Sequence, residues 1–274
     1  MSSGDTGSYR IGEARFRDAS AELERLRIQA EVFWPSELPV LERHGLRPGV
    51  ADVLEAGCGP GYVTALLREH LRGGSVTALD LDPAMLEHAR GHLGQDGRVR
   101  FVQASVQQTG LPDDAFDVVL ARLVLQHVPD ARGAFPELRR VLRPGGRLIV
   151  VDADFAFTTI FDPEPPFARE LMDAVIQGQR LQGGDPHIGR RLPAMLRDAG
   201  FTEIIVDAVV AHSVVVGRDA IRATIPDQAL DHLEAGGLVS GELAAAAREY
   251  LARIDSGEQT FEGMDLTMVA SGAA

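Results

Sequence analysis

The chain has 274 residues, of which 45% are hydrophobic, and a formal net charge of −13 at pH 7. This length allows one large α/β domain or two small ones, and the apolar content is sufficient for a substantial core. The negative charge argues against a nucleic-acid partner, because binding to a phosphate backbone depends on clustered lysine and arginine.

The cysteine content and the absence of long apolar runs exclude further classes of protein. Cys58 is the single cysteine, so an intrachain disulfide is excluded, and nothing in the sequence indicates a zinc or other metal site. No run is long enough to span a membrane, and residues 1–5 are polar rather than part of a signal peptide. These features predict a cytoplasmic protein that acts on a small molecule.

Residues 9–45 are predicted to form two helices separated at Pro35. Apolar residues recur at helical spacing over 14–33, and a second helix is expected over 38–44. We expect residues 1–48 to form a helical cap.

A glycine-rich segment, VLEAGCGPG over residues 53–61, is the most informative part of the chain. It reads as a short buried strand that enters a turn and is followed by an amphipathic helix. Gly57, Gly59 and Gly61 let the backbone turn sharply and approach a ligand, towards which the helix directs its unpaired N–H groups. Dinucleotide sites have G-x-G-x-x-G. The spacing here, with Glu55 two residues before the first glycine, suits a nucleoside with an amino-acid tail better.

A second strand over residues 76–80 ends in Asp80, whose carboxylate can accept hydrogen bonds from both hydroxyls of a ribose. Alternatively Asp80 caps the next helix, although Asp82 before Pro83 suits that role better. Strands and helices alternate over residues 53–151, which predicts a parallel sheet with helices on both faces.

The pattern changes after Val151. Beyond a proline-rich loop we predict, in order, a helix over 167–181, a helix over 193–199, a strand over 201–216, a helical insert over 219–254 and a last strand over 266–270.

The motifs over residues 50–155 together resemble the class I S-adenosylmethionine-dependent methyltransferases. Besides the two segments above, they are RFVQAS (100–105), LPDDAFD (111–117), VVLA (118–121) with LQHVPD (125–130), and LRRVLRPGGRLIV (138–150). One glycine-rich loop would be weak evidence, whereas several motifs in the order of the family are strong evidence.

The resemblance implies one α/β domain over residues 1–274. Its Rossmann-like seven-stranded sheet would be mostly parallel with an antiparallel last strand. The cofactor-binding core would span 49–155, and the C-terminal half, 156–274, would carry acceptor-side helices and an insert over 219–262.

The resemblance also implies which residues bind S-adenosylmethionine. Its methionine end would meet Glu55 and the backbone of Ala121, and its adenosine would contact Leu81 and Met85. The remaining predicted contacts are Arg25, Gln29, Gly57, Cys58, Gly59, Gly61, Asp80, Ala104, Ser105 and Arg122. Arg122 would brace the loop or pair with Glu55. For Met85, Arg25 and Gln29, ordinary packing or a solvated helix face are open alternatives.

Ser105 departs from the family pattern, which has an acid that accepts a hydrogen bond from the adenine amine. A serine hydroxyl can accept the same bond, but without the assistance of a charge.

Three residues are candidates for a general base: His127, Asp152 and Asp154. They follow the fourth and fifth predicted strands, at the edge where open α/β sheets bind ligands. The ordinary pKa of a histidine suits proton transfer near neutrality. A structural role in a loop or turn is the alternative for each.

The function implied is transfer of a methyl group to an O, N or C atom of a hydrophobic small molecule. The subgroup resembled is that of the bacterial ubiquinone/menaquinone and secondary-metabolite methyltransferases. Apolar residues indicate the roof of an acceptor pocket: Phe155, Phe157, Ile160, Phe161, Leu230 and Leu233. Two alternatives stay open: cofactor binding with a non-methylating reaction such as cyclisation, and an NAD-dependent oxidoreductase. A homodimer also stays open.

Overall fold

The structure, a computed structural model, describes residues 19–94, 97–158, 160–223, 225 and 227–274. The polar segment 1–5 and the predicted helical residues before Ala19 lie outside the described residues. The first described element is helix α1 (Ala19–Arg43), which continues through Pro35 and Pro39. The predicted break at Pro35 is therefore wrong. Buried side chains lie on both sides of it, including Trp34 and Leu41, and packing of this face offsets the hydrogen bonds that the prolines remove.

The predicted alternation of strands and helices follows α1. In chain order the elements are β1 (Asp52–Ala56), α2 (Tyr62–His70), β2 (Ser75–Asp80), α3 (Pro83–Leu93), β3 (Val99–Gln103), β4 (Phe116–Arg122), α4 (Ala134–Arg140) and β5 (Leu142–Ala153). Strands β1 to β5 pair in parallel in the order β3-β2-β1-β4-β5.

The C-terminal half contributes β6 (Ile160–Asp162), α5 (Ala168–Leu181), α6 (Leu192–Asp198), β7 (Thr202–His212), α7 (Ser213–Val216), α8 (Arg218–Ala223), α9 (Asp227–Ala235), α10 (Gly241–Asp255) and β8 (Glu262–Ala273). Strand β8 pairs antiparallel with β5, β6 and β7. The mostly parallel sheet with an antiparallel last strand is confirmed, and the three-residue β6 is an addition that was not predicted.

Two predicted boundaries in this half are wrong. The strand expected to reach Val216 ends at His212, whose ring accepts a hydrogen bond from Val214 N at 3.1 Å and begins the short helix α7. Strand β8 is longer than the predicted 266–270. Its pairing with three strands supplies backbone partners along its whole length, which local sequence cannot indicate.

Alternate residues of each central strand pack against opposite layers. Leu54 and Val119 contribute to a core with α4 and α6, whereas Val53 and Leu120 contribute to a core with α1 and α2. The parallel register places Glu55 of β1 opposite Ala78 of β2 and Leu120 of β4. The carboxyl ends of these strands therefore meet at one edge of the sheet. In the part of the chain that the structure describes, no helix has the length and apolar character needed to cross a bilayer.

Candidate functional site

A cavity of about 600 Å³ opens at this edge of the sheet. We call the part lined by α1, by the segments that follow β1 to β3 and by Arg122 the cofactor half, and the part lined by residues 126–129 after β4 and by residues from Ala153 onwards the acceptor half. Twelve of the fourteen predicted cofactor-binding residues line the cofactor half: Arg25, Gln29, Glu55, Gly57, Cys58, Gly59, Asp80, Leu81, Met85, Ala104, Ser105 and Arg122. Gly61 and Ala121 are not among the described lining residues.

The three glycines of the loop after β1 have different physical roles, although all have positive φ values. A Cβ on Gly57 would lie 2.4 Å from a methyl group of Val124, and one on Gly61 would lie 2.7 Å from the Cβ of Ala89. These two glycines are required by packing. A Cβ on Gly59 (φ +52) would have no atom within 4 Å. Gly59 is therefore the glycine whose missing side chain leaves space in the cavity.

Asp80 holds this loop from the end of β2. Its Oδ2 accepts a hydrogen bond from Gly59 N at 2.7 Å, and its Oδ1 accepts one from Asp82 N at 2.9 Å. Burial raises the pKa of Asp80, and these backbone donors oppose the shift. The role of helix cap is taken by Asp82, which accepts from Ala84 N at 2.9 Å. Each oxygen of Asp80 retains a lone pair that can accept a further hydrogen bond.

Glu55 lies at the end of β1 and is only 2% exposed. Its carboxyl accepts a hydrogen bond from Thr64 Oγ1 at 2.5 Å, and burial raises its pKa to about 8. Burial also raises the pKa of the neighbouring Cys58 thiol. The carboxyl of Glu55, which lines the cofactor half, is therefore largely neutral at pH 7.

Of the two roles left open for Arg122, pairing with Glu55 is not seen in a hydrogen bond. Arg122 forms two hydrogen bonds with Glu37 of α1, Nε to Oε2 at 2.7 Å and Nη2 to Oε1 at 2.8 Å. The partner comes from a helix whose position on the sheet the sequence did not indicate. Arg25 is likewise engaged, by Glu22 at 2.6 and 2.9 Å, while Gln29 lines the cavity four residues further along α1.

Ser105 lies in a tight turn after β3 and is 8% exposed. Its Oγ accepts a hydrogen bond from Gln107 N at 3.1 Å. The hydroxyl is therefore partly used by its own turn, and its predicted contact with the adenine amine stays a prediction.

The three candidate bases differ in whether they line the cavity. His127 is half-buried and lines the cavity, whereas neither aspartate is among the described lining residues. Asp152 accepts hydrogen bonds from Gln126 N at 3.2 Å and Ala153 N at 3.1 Å, and burial raises its pKa to about 7. Asp154 binds Arg190 Nη2 at 2.8 Å and His187 at 3.2 Å.

These contacts favour the structural alternative for Asp152 and Asp154, and their roles as bases stay predictions. Strand β5 extends to Ala153, and side chains of a strand alternate between its faces. Ala153 lines the cavity, so Asp152, the residue before it in the strand, faces the other way. Asp154 follows the strand and is held by Arg190 and His187.

Several residues of the acceptor half were not predicted from the sequence. Gln126 lines the cavity beside His127, and its place in the loop after β4 was the signal that could have identified it. Tyr250 of α10 and Asp265 of β8 also line the cavity. No local motif marks them, since they reach the site only through the packing of the insert.

A methyltransferase-domain family matches residues 54–150 of the chain. Over 189 residues the chain is 35% identical to a trans-aconitate 2-methyltransferase of Methylobacterium radiotolerans, and the match covers 68% of this chain and 67% of that protein. The chain belongs to the class I S-adenosylmethionine-dependent methyltransferases. The cofactor is S-adenosylmethionine, so the alternative of an NAD-dependent oxidoreductase is not retained.

Two further comparisons extend beyond the methyltransferase domain. The chain is 31% identical over 219 residues to an uncharacterised 37.1 kDa protein of a Streptomyces fradiae transposon, and the match covers 72% of this chain and 61% of that protein. A Haemonchus contortus phosphoethanolamine N-methyltransferase 2, solved with S-adenosyl-L-methionine, has a TM-score of 0.60 and 18% identity, covering 96% of this chain and 60% of that one. This likeness shows that the methyltransferase fold extends over the C-terminal half. The chain spans only about three fifths to two thirds of the length of these proteins.

Proposed function

We propose that this methyltransferase transfers a methyl group to an O, N or C atom of a hydrophobic small molecule in secondary metabolism. The observation that carries this proposal is the shape of the cavity. The loop of Gly59 and the carboxylate of Asp80 lie in one half, and the other half, lined mainly by apolar side chains, continues from it.

The residues of the cofactor half suit S-adenosylmethionine chemically. Asp80 would accept hydrogen bonds from the ribose hydroxyls, and the space beside Gly59 would admit the nucleoside close to the backbone. Leu81 and the buried Met85 would pack on the adenine, with Ser105 at its edge. Ala121, which is buried, and Gly61, which is packed against Ala89, would act by fixing the backbone around the site.

The methionine end would lie by Glu55, with Arg25 and Gln29 of α1 closing over it. Arg122 would act as a brace between β4 and α1 through Glu37. Burial raises the pKa of Cys58, so its thiol stays neutral. Cys58 would therefore contribute through packing and through its backbone in the turn, not as a charged group.

S-adenosylmethionine supplies a methyl group on a sulfonium, so that its transfer leaves S-adenosylhomocysteine and a proton released by the acceptor. The task of the protein is therefore to align the two molecules and exclude water. For a hydroxyl acceptor, His127 would take the proton, because it lines the cavity and an imidazole is the side chain that most often serves as a general base.

The acceptor half supports an apolar acceptor. Among the predicted roof residues, Phe155, Phe161, Leu230 and Leu233 line it, while Phe157 is 49% exposed and does not; the side chain of Ile160 lies outside the description. Further apolar lining residues come from α5 and α10: Ala168, Leu171, Met172, Val175, Ala247 and Leu251. Such a wall of apolar groups with few polar ones is typical of a small-molecule site.

The deciding experiment uses the full chain with methyl-labelled S-adenosylmethionine and a panel of phenols, quinones, amines and polyketide-like acids, with product mass as the readout. Label in an apolar member of the panel and release of S-adenosylhomocysteine are expected. Cofactor binding without either product would contradict methyl transfer and favour the cyclisation alternative, which none of the methyltransferase relatives supports at present.

A further inference from the structure

The acceptor half contains two buried polar atoms that are not used by the fold. Oε1 of Gln126 and the hydroxyl of Tyr250 have no hydrogen-bond partner among the described residues, and both side chains line the cavity. A buried polar atom without a partner destabilises a protein. We propose that Gln126 and Tyr250 are the two polar anchors of the methyl acceptor, an uncharged apolar molecule that donates a hydrogen bond to Gln126 and accepts one from Tyr250. This inference rests on the proposed function.

The position of Gln126 is fixed from three sides. Its N–H donates to Asp152 Oδ2 at 3.2 Å, and its carbonyl oxygen accepts from Gln179 Nε2 at 3.0 Å and from Asp185 N at 2.9 Å. The residue is only 5% exposed. Both the N–H and the carbonyl oxygen of Gln126 are thus hydrogen-bonded, which fixes its backbone. The side-chain amide lines the cavity from this fixed position. Asp152 is thereby a positioning residue for Gln126.

Tyr250 approaches the cavity from helix α10. Its ring packs edge-on against Phe167, with ring centroids 5.7 Å apart and planes at 82°. Burial raises the pKa of Tyr250, so the hydroxyl stays protonated near neutral pH and can donate a hydrogen bond. An oxygen of the acceptor, such as a hydroxyl, ether or carbonyl, is the partner that this donor requires.

The two anchors differ in what they require from the acceptor. Gln126 Oε1 can only accept, so it requires an O–H or N–H group, and it lies next to His127 in the loop after β4. The group that Gln126 binds therefore orients the acceptor beside His127. In a hydroxyl acceptor the oxygen that is methylated is a different one, because its single proton would go to His127. Apolar side chains of α5 and α9, including Leu171 and Leu233, line the same half of the cavity.

The charges of the wall favour an uncharged acceptor over a carboxylate or phosphate. Both arginines that line the cavity are already paired, Arg25 with Glu22 and Arg122 with Glu37. In the acceptor half the wall includes the acidic side chain of Asp265. Apart from the imidazoles of His127 and His232, the described lining offers an anionic acceptor no cation other than these paired arginines, so the loss of its hydration would be poorly compensated.

The test uses the full chain saturated with S-adenosylhomocysteine and titrated with matched ligands: 1,3-naphthalenediol, its hydroxynaphthoic acid counterpart, and trans-aconitate. Calorimetry gives a dissociation constant whether or not a ligand is turned over. The diol is expected to bind at least ~10-fold more tightly than either acid. Tighter binding of the acids, or no binding of the diol, would overturn the inference. If the parent protein did not bind S-adenosylhomocysteine itself, the proposed function would fail first, and the two failures are thus distinct.

Two variants test the anchors directly. Gln126→Leu and Tyr250→Phe are each expected to weaken diol binding about 10-fold, the effect of one lost hydrogen bond of about 1.4 kcal/mol, without changing affinity for S-adenosylhomocysteine. The melting temperature of Gln126→Leu should be equal to or above that of the parent, because a buried atom without a partner is removed. Gln259→Leu, which removes an exposed amide outside the cavity, is the control. Unchanged diol affinity in both anchor variants would refute the proposal.

Discussion

Replacement of Asp80 by asparagine tests the centre of the cofactor half. The carboxylate of Asp80 accepts two backbone hydrogen bonds, from Gly59 N at 2.7 Å and Asp82 N at 2.9 Å. An asparagine amide has a single oxygen, so whichever way it is oriented its NH₂ group faces one of these N–H donors. Asp80→Asn therefore disturbs the loop and removes one acceptor from the ribose.

The expected loss of affinity follows from the charge on Asp80. A hydrogen bond to a charged group contributes about 1.5–3 kcal/mol. Losing one such bond to the cofactor should weaken binding by about 10- to 150-fold, since about 1.4 kcal/mol corresponds to a factor of ten. Isothermal titration with S-adenosylhomocysteine measures this change, and circular dichroism verifies that the variant is folded.

Asp117→Asn is the matched control for Asp80→Asn. Asp117 lies in the second position of β4, towards the opposite edge of the sheet, where it accepts from Asp52 N at 2.9 Å and pairs with Arg143. This variant also loses a carboxylate that accepts a backbone N–H, so its stability should fall by a similar amount while its cofactor affinity stays unchanged. A folded Asp80→Asn protein with a dissociation constant within about threefold of the parent would refute the ribose assignment.

Three other variants extend these tests. Gly59→Ala should fold, at a cost of about 1 kcal/mol for its positive φ, yet bind the cofactor at least ~10-fold more weakly, because the new Cβ takes space that the cofactor needs; normal binding would contradict the role given to this glycine. Glu55→Gln should flatten the dependence of melting temperature on pH. The folded pKa of about 8 is raised above the unfolded value, so the contribution of Glu55 to stability is present below about pH 4.5 and lost as pH rises to 8; an unchanged slope of melting temperature over pH 5–8 would count against this reading. His127→Gln should lower turnover of a phenolic acceptor by about 10²–10⁴-fold with cofactor affinity intact; turnover within a few-fold of the parent would mean that His127 takes no proton.

The sequence by itself determined the cofactor half. A strand, a glycine-rich turn and a helix follow each other within residues 53–70, and an acid ends the next strand at Asp80. These features are local, because the period of apolar residues and the backbone freedom of glycine depend on neighbouring residues only. The parallel pairing rule then brings the ends of β1 to β4 to one edge, which is why ten of the predicted contacts line one cavity; Arg25 and Gln29 reach it only through the packing of α1.

Only the tertiary structure decided the partners of buried charges and the identity of the acceptor-side polar groups. Arg122 binds Glu37, which is 85 residues away in the sequence, and Asp152 holds the backbone of Gln126 rather than facing the cavity. Tyr250 reaches the cavity because the helices of the insert fold over it. In each case the contact depends on how a helix or a strand face packs against the sheet, and that packing is the sum of many weak apolar contacts over distant segments rather than a property of any local pattern.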